Sequence, residues 1–238
     1  MIKNIFITGK PRSGKSMMLE RIIGDLPKKT GFITREIKTT QGRAGFELEN
    51  QKGTRVIFAH VDFGGSCKVG KYGVDIKALE LILLESSDYS EDDVLYVDEI
   101  GQMQLLSEDF RQVVLNFTNS QNIFLATLSQ VFQDDLINDL KNRNDSLTLD
   151  LSESNMADQE GFVKAMIHKI RKARKYIAKP QLFTFENNTA ILRSEHGARN
   201  LSFLEGVWSC DCDFFRVNKI CSHSMATSEL SARIIPAK

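Results

Sequence analysis

Residues 9–16, in order Gly9, Lys10, Pro11, Arg12, Ser13, Gly14, Lys15 and Ser16, form a complete Walker A phosphate loop set between an apolar run and a helical periodicity. Residues 2–8 read as a buried β-strand, and Met17, Met18, Leu19, Ile22 and Ile23 recur at helical spacing just after the loop. Gly9 and Gly14 let the backbone curl so that successive N–H groups point inward, where the positive end of the following helix adds to the field. Nucleotide phosphate is the ligand this chemistry favours: Lys15 is expected to reach the β- and γ-phosphates and Ser16 to ligate Mg²⁺. Arg12 reads either as a solvated charge or as an additional phosphate contact.

Further short apolar runs at 94–97, 123–126 and 147–151 look like buried strands, with helices expected over 77–85, 108–117 and 132–141. The alternation predicts an α/β fold, a largely parallel sheet flanked by helices. Residues 31–37 and 45–48 instead read as a hairpin-like insertion turning at Gln41-Gly42. Pro180 should stop the helix before it, which places a boundary between a phosphate-loop domain, 1–179, and a small module, 180–238. In the latter, β-like segments at 182–185 and 190–193 and a turn at His196-Gly197 precede a helical pattern at 225–234.

The formal net charge of zero is a sum of unlike parts. Residues 1–163 carry 18 Lys and Arg against 25 Asp and Glu, residues 164–179 carry 7 against 0, and residues 180–238 carry 6 against 6. The basic block (Lys164, Lys169, Arg171, Lys172, Arg174, Lys175, Lys179) shares a helical pattern with an apolar stripe of Phe162, Ala165, Met166, Ile170, Ala173 and Ile177. Such a face attracts nucleic-acid phosphate or complements the acidic remainder of the chain. No apolar stretch approaches the roughly 20 residues that span a bilayer, so a cytoplasmic protein without membrane contact is expected. Its four cysteines are then thiols or metal ligands.

A second phosphate-site element is the strand 94–97 ending in Asp98-Glu99, a Walker B pattern. Asp98 is placed to face Mg²⁺, directly or through water, and Glu99 to polarise the attacking water. Gly31-Phe-Ile-Thr-Arg-Glu36, Gly45-Phe46, Val69-Gly-Lys-Tyr-Gly-Val-Asp75 and Asp98-Glu-Ile-Gly-Gln-Met-Gln-Leu105 follow in the order and spacing of the THEP family, the cancer-related nucleoside-triphosphatases, which the chain resembles over about residues 1–170. The resemblance implies a RecA-like P-loop fold and slow Mg²⁺-dependent hydrolysis of ATP, GTP and other nucleoside triphosphates. It places phosphate at Gly9 to Ser16, and the Mg²⁺ and water site at Asp98 and Glu99. The chain departs from the family at Gln102 and Gln104, where Lys and Glu are usual, and at Pro11-Arg12-Ser13, where Pro-Gly-Val or Pro-Gly-Ile is usual. Arg35, Arg111 and Arg143 are candidate transition-state arginines.

At the other end, Cys210-x-Cys212, eight residues, then Cys221-x-His223 offers four ligands at a spacing that fits tetrahedral Zn²⁺. Three thiolates and an imidazole leave no open position, so the site should be structural, a staple for a module too small to rely on its core. The pattern resembles the SWIM zinc finger, with Trp208, Phe214 and Phe215 in place of its aromatic packing, and that resemblance implies binding of DNA or protein. Cys67 has no partner motif and is expected to be buried or inert, and His60, His168 and His196 to be ordinary structural or surface residues.

These readings combine into an enzyme, a nucleoside-triphosphatase tethered to a zinc-finger module that binds nucleic acid or protein. A nucleotide-switched adaptor with negligible turnover and a P-loop small-molecule or nucleoside kinase are the alternatives.

Overall fold

The computed structural model describes residues 1–195 and 197–234, so the expected turn at His196 lies partly outside the described residues. Two compact units form, Lys3–Gly161 and Phe162–Lys238 with Met1–Ile2.

In the first unit, β1 (Asn4–Thr8) leads through the glycine loop into α1 (Lys15–Gly24). There follow β2 (Lys29–Thr39), β3 (Gly42–Asn50), β4 (Arg55–His60), β5 (Lys68–Val69), β6 (Tyr72–Val74) and α2 (Ile76–Glu85). The remainder comprises β7 (Val94–Ile100), α3 (Glu108–Asn119), β8 (Ile123–Leu128), α4 (Asp135–Asn142), β9 (Ser146–Asp150) and the start of α5 (Met156–Ile177). The helices begin where the sequence offers caps: the Asp75, Ser107 and Asp134 side chains accept from backbone N–H groups of α2, α3 and α4. Asp134 thereby starts α4 three residues later than the periodicity suggests.

The nine strands form one sheet in the order β5-β6-β4-β3-β2-β7-β8-β1-β9. It is mixed rather than largely parallel. The pairings β2–β7, β7–β8, β8–β1 and β1–β9 are parallel, and β2–β3, β3–β4, β4–β6 and β6–β5 are antiparallel. The hairpin is therefore no appendage: β2 carries the parallel half on one edge and β3 on the other, because a two-residue turn can only return the chain antiparallel. Gly31 makes the β2–β7 seam possible. Its φ is +150°, and a Cβ there would lie 1.8 Å from the Tyr96 carbonyl oxygen.

Strands β1 and β8 are buried at every residue, as the continuous apolar runs require. Phe6, Phe117 and Phe124 meet edge to face, with centroids 5.6–5.8 Å apart, in a core that also holds Phe32, Leu95, Phe110 and Leu128. Among the described residues no helix is long and apolar enough to cross a membrane.

The division between compact units falls inside α5, and the basic segment 164–179 groups with the C-terminal unit. Pro180 does end the helix, opening a short 3₁₀ turn, 180–182. The buried stripe of α5 is Val163, Met166, Ile167, Ile170, Ala173 and Tyr176, rotated from the expected one; Phe162, Ala165 and Ile177 are only half-buried. Beyond it, β10 (Phe183–Glu186), β11 (Thr189–Ser194), β12 (Gly197–Leu204) and β13 (Val207–Cys210) make an antiparallel sheet in chain order, followed by α6 (Asp213–Asn218) and α7 (Ser222–Ile234). Trp208 is buried, donates from Nε1 to Ser231 Oγ at 3.0 Å, and meets Phe185 and Phe203 at 6.0 and 5.3 Å.

Candidate functional site

The loop between β1 and α1 closes on itself through a Ser13 N–H bond to the Lys10 carbonyl at 3.1 Å. Gly14, immediately before α1, is left-handed with φ +90°, a conformation open to glycine. Arg12 adopts φ +68°, where the side chain carries a steric cost that glycine would not. Lys15 is buried, and its ammonium donates to the Gly9 and Lys10 carbonyls at 3.0 and 3.2 Å, folded back over the loop. Ser13 Oγ is buried and meets no hydrogen-bond partner among the described residues. A glycine-bearing loop at a helix N-terminus, with a buried lysine and an orphaned hydroxyl, is chemically suited to an oxyanion.

The parallel register brings the end of β7 against this loop. Ser16 Oγ donates to Asp98 Oδ1 at 3.1 Å, and Thr127 Oγ1, from β8, donates to the same oxygen. Asp98 is 2% exposed. Burial pushes its carboxyl up to about 6, against the pull of the Thr127 and Ser16 hydroxyls. Glu99 is also raised by burial, with the Lys15 charge opposing the shift. Their peptide is cis. Thr34 on β2 donates its hydroxyl to the Asp98 carbonyl and accepts from Gln104 Nε2 at 3.2 Å, so β2, β7 and the turn after β7 are tied together around the acids.

These groups face a cleft of 820 Å³. Pro11, Arg12, Gly14, Lys15 and Ser16 line it with Asp98, Glu99, Gln102 and Gln104, while Phe46, Val69, Met103, Val131 and Phe132 supply apolar wall. Gly9, Lys10 and Ser13 belong to the loop but not to the lining. Of the three candidate arginines only Arg35 reaches the cleft, held by Glu49 and by Glu20 at 3.3 Å. Arg111 is bidentate with Asp134 at 3.1 and 2.7 Å, and Arg143 with Asp145 at 2.9 and 3.0 Å. Thr127 escaped the sequence reading, and Thr34 entered it only as part of the Gly31 to Glu36 signature, without a role: threonine in a strand is ordinary, and only cross-strand register reveals what it faces.

In the C-terminal unit the Cys210, Cys212 and Cys221 sulfurs and a ring nitrogen of His223 all lie within 4.8 Å of one another. Cys210 ends β13, Cys212 caps α6, Cys221 precedes α7 and His223 sits in its first turn. His223 Nδ1 is 3.6 Å from Cys210 Sγ and 3.8 Å from Cys221 Sγ. The contact between the two sulfurs pushes Cys221 down and Cys210 up, since adjacent thiolates repel unless a cation lies between them. Cys67, expected to be buried or inert, is exposed in the loop before β5, so the buried alternative does not hold. His60 is half-buried, accepting at Nδ1 from the Asp62 N–H at 3.2 Å, and His168 is exposed.

The basic face of α5 contributes Arg171, Lys172 and Lys175, with His168 and Tyr176, to a cavity of 670 Å³ that Lys179 just beyond the helix, Ser194 and Glu195 also line. Lys169 is turned elsewhere, its ammonium 4.4 Å from the Phe214 ring centroid.

Residues 4–175 match the family model described as NTPase. The nucleoside-triphosphatase THEP1 of Thermotoga maritima is 37% identical over 153 residues, 63% of this chain and 87% of that protein. That of Methanocaldococcus jannaschii is 32% identical over 173 residues, 70% of this chain and 96% of that protein. The crystal structure of THEP1 from the hyperthermophile Aquifex aeolicus superposes with a TM-score of 0.61 at 26% identity, covering 67% of this chain and 96% of that one. Cys210 to His223 lie beyond the residues that the family model matches. With the phosphate loop, the acidic strand end and these relatives in agreement, the chain belongs to the THEP1-type NTPase family.

Proposed function

We propose that the protein is a Mg²⁺-dependent nucleoside-triphosphatase, converting ATP, GTP and related triphosphates to diphosphate and phosphate, tethered to a zinc-bearing module that binds nucleic acid. The observation that carries the enzymatic part is the convergence of Ser16 and Thr127 on one oxygen of the buried Asp98, which joins the two phosphate-site motifs at the cleft. The names of the relatives support the reaction class.

In this reading the loop amides of Gly9 to Ser16 hold the phosphates, and Lys15 exchanges its carbonyl contacts for phosphate oxygens. Ser16 and Asp98 are the residues that would hold Mg²⁺, which when bound would supply charge neutralisation at the phosphates. Glu99 takes the proton of the attacking water. Burial raises its basicity, and the nearby Lys15 charge opposes that rise. Phosphate release should be measured over a panel of nucleotides, with Lys15→Ala and Glu99→Gln. Lys15→Ala is expected to lose binding or turnover. Glu99→Gln is expected to bind nucleotide normally while turnover falls about 10²- to 10⁴-fold. Undiminished turnover in Glu99→Gln removes that residue from the mechanism, and binding without turnover in the unaltered chain favours a nucleotide-switched adaptor.

Cys210, Cys212, Cys221 and His223 fit Zn²⁺. Tetrahedral bonds of about 2.3 Å to sulfur and 2.0 Å to nitrogen separate S and N by roughly 3.5 Å, against the 3.6 and 3.8 Å found. The ligand spacing and the buried Trp208 support a SWIM-type finger. Arg171, Lys172, Lys175 and Lys179 gather on one cavity and are the groups we assign to nucleic-acid phosphate. Filter binding of DNA and RNA should weaken steeply with salt and weaken again on reversal of Lys172, Lys175 and Lys179. No retention at low salt would make a protein the partner.

A further inference from the structure

A second cavity of 550 Å³ shares Arg12, Glu36, Lys38 and Arg43 with the wall of the nucleotide cleft and continues past it to Lys71 and Tyr72. Four cations surround a single carboxylate. Glu36 accepts from Arg43 Nη1 at 2.6 Å and pairs with Lys38 at 3.5 Å, so one acid is shared by two bases. Arg12 and Lys71 have no carboxylate partner among the described residues, and the Lys71 ammonium lies 5.3 Å from the Tyr72 ring centroid. Arg43 is held rigid: Nε donates to Tyr72 Oη at 3.0 Å, and the guanidinium sits 4.9 Å from the Phe46 centroid and 5.7 Å from that of Tyr72. Fixing one guanidinium between two rings while leaving net positive charge around it is an arrangement for an anion.

The sheet order places this cavity. The phosphate loop leaves β1 and Asp98-Glu99 end β7, so on the proposed reading the phosphate chain runs from β1 toward β7 with its terminal phosphate at the acids. Glu36, Lys38 and Arg43, on β2 and β3, and Lys71 after β5 lie beyond β7 in the same sheet.

We infer that Arg12, Lys38, Arg43 and Lys71 form a second anion subsite that takes a phosphate group beyond the terminal phosphate of the bound triphosphate. This inference rests on the nucleotide reading above. The group is either the next phosphate of a longer polyphosphate chain or a phosphate carried by a separate ligand.

Calorimetric titrations of the full chain carrying Glu99→Gln, with Mg²⁺, distinguish the two sources. If the chain is extended, adenosine 5′-tetraphosphate binds about tenfold tighter than ATP, the worth of one charge-assisted hydrogen bond, and Lys71→Glu brings the ratio near one. If the ligand is separate, the ratio stays near one, but inorganic phosphate binds the ATP-saturated protein and Lys71→Glu abolishes that binding. Tight ATP binding with neither effect overturns the subsite. Failure to bind ATP at all overturns the nucleotide reading beneath it.

Discussion

Asp98→Asn should make the nucleotide-free protein more stable, and the gain should depend on pH in a defined direction. The Asp98 carboxyl is 2% exposed, has no cationic partner in hydrogen-bond contact among the described residues, and is held at about 6 against 3.8 for a freely solvated aspartate. Between these values the folded chain keeps a proton that the unfolded chain has released, so stability falls as pH rises through that window. A rise of about two pH units corresponds to about 3 kcal/mol by pH 7, at roughly 1.36 kcal/mol per unit. Asparagine keeps the shape and an oxygen that accepts from Ser16 and Thr127, but has no charge to desolvate. The stability difference between variant and parent should therefore grow from near zero at about pH 4 to about 3 kcal/mol at pH 7, read by urea unfolding in Mg²⁺-free buffer. Comparing the two chains at each pH cancels the titrating groups remote from Asp98 and leaves its coupling to Glu99 and Glu20 in the difference. Saturating Mg²⁺-nucleotide at a hundred times its dissociation constant should stabilise the parent by about 2.7 kcal/mol and the variant by far less. A difference independent of pH, or a variant less stable than the parent at pH 7, would refute the argument that a buried, unneutralised carboxylate is held here at the expense of stability.

Gly31→Ala should destabilise the first unit by roughly 4 kcal/mol or more, because the new methyl overlaps the Tyr96 carbonyl and forces β2 from β7; a midpoint within error of the parent would show that the seam tolerates separation. At Asp145, burial is outweighed by the Arg143 hydrogen bond and the Lys3 charge, leaving the carboxyl at about 2. A depressed acid stabilises above its unfolded value, so its contribution should vanish as pH falls from about 4 to about 2, and Asp145→Asn should cost about 2 kcal/mol at pH 7 and little at pH 2. Metal analysis should find one zinc per chain, and chelation should unfold the C-terminal unit while leaving the first unit folded, since zinc contributes an apparent ~10–16 kcal/mol in finger peptides. A metal-free chain with that unit still ordered would remove zinc from the fold.

The motifs were legible because each is local. The loop glycines, Lys15 and Ser16 are contiguous, the acids end a continuous apolar run, and the four Cys and His residues keep ligand spacing, so chain order alone announces their chemistry. Strands β1, β7 and β8 were legible for a related reason: burial on both faces leaves an unbroken apolar run. Tertiary structure decided what depends on which chain segments lie side by side. The strands β4, β5 and β6 are short, β4 and β5 are partly exposed, and nothing within the three marks their place in the sheet. Thr127 and Thr34 reach Asp98 only through the register of β8 and β2 with β7, and Lys38, Arg43 and Lys71 share a cavity only because β3 turns back beside β2 and the β5–β6 pair joins the same sheet. On α5 the periodicity correctly announced an amphipathic helix, yet which residues faced inward and which lysine met Phe214 waited on packing. A local pattern records the environment each residue needs, whereas pairing between distant segments is chosen by the summed fit of whole strands and helices, which no single window of sequence contains.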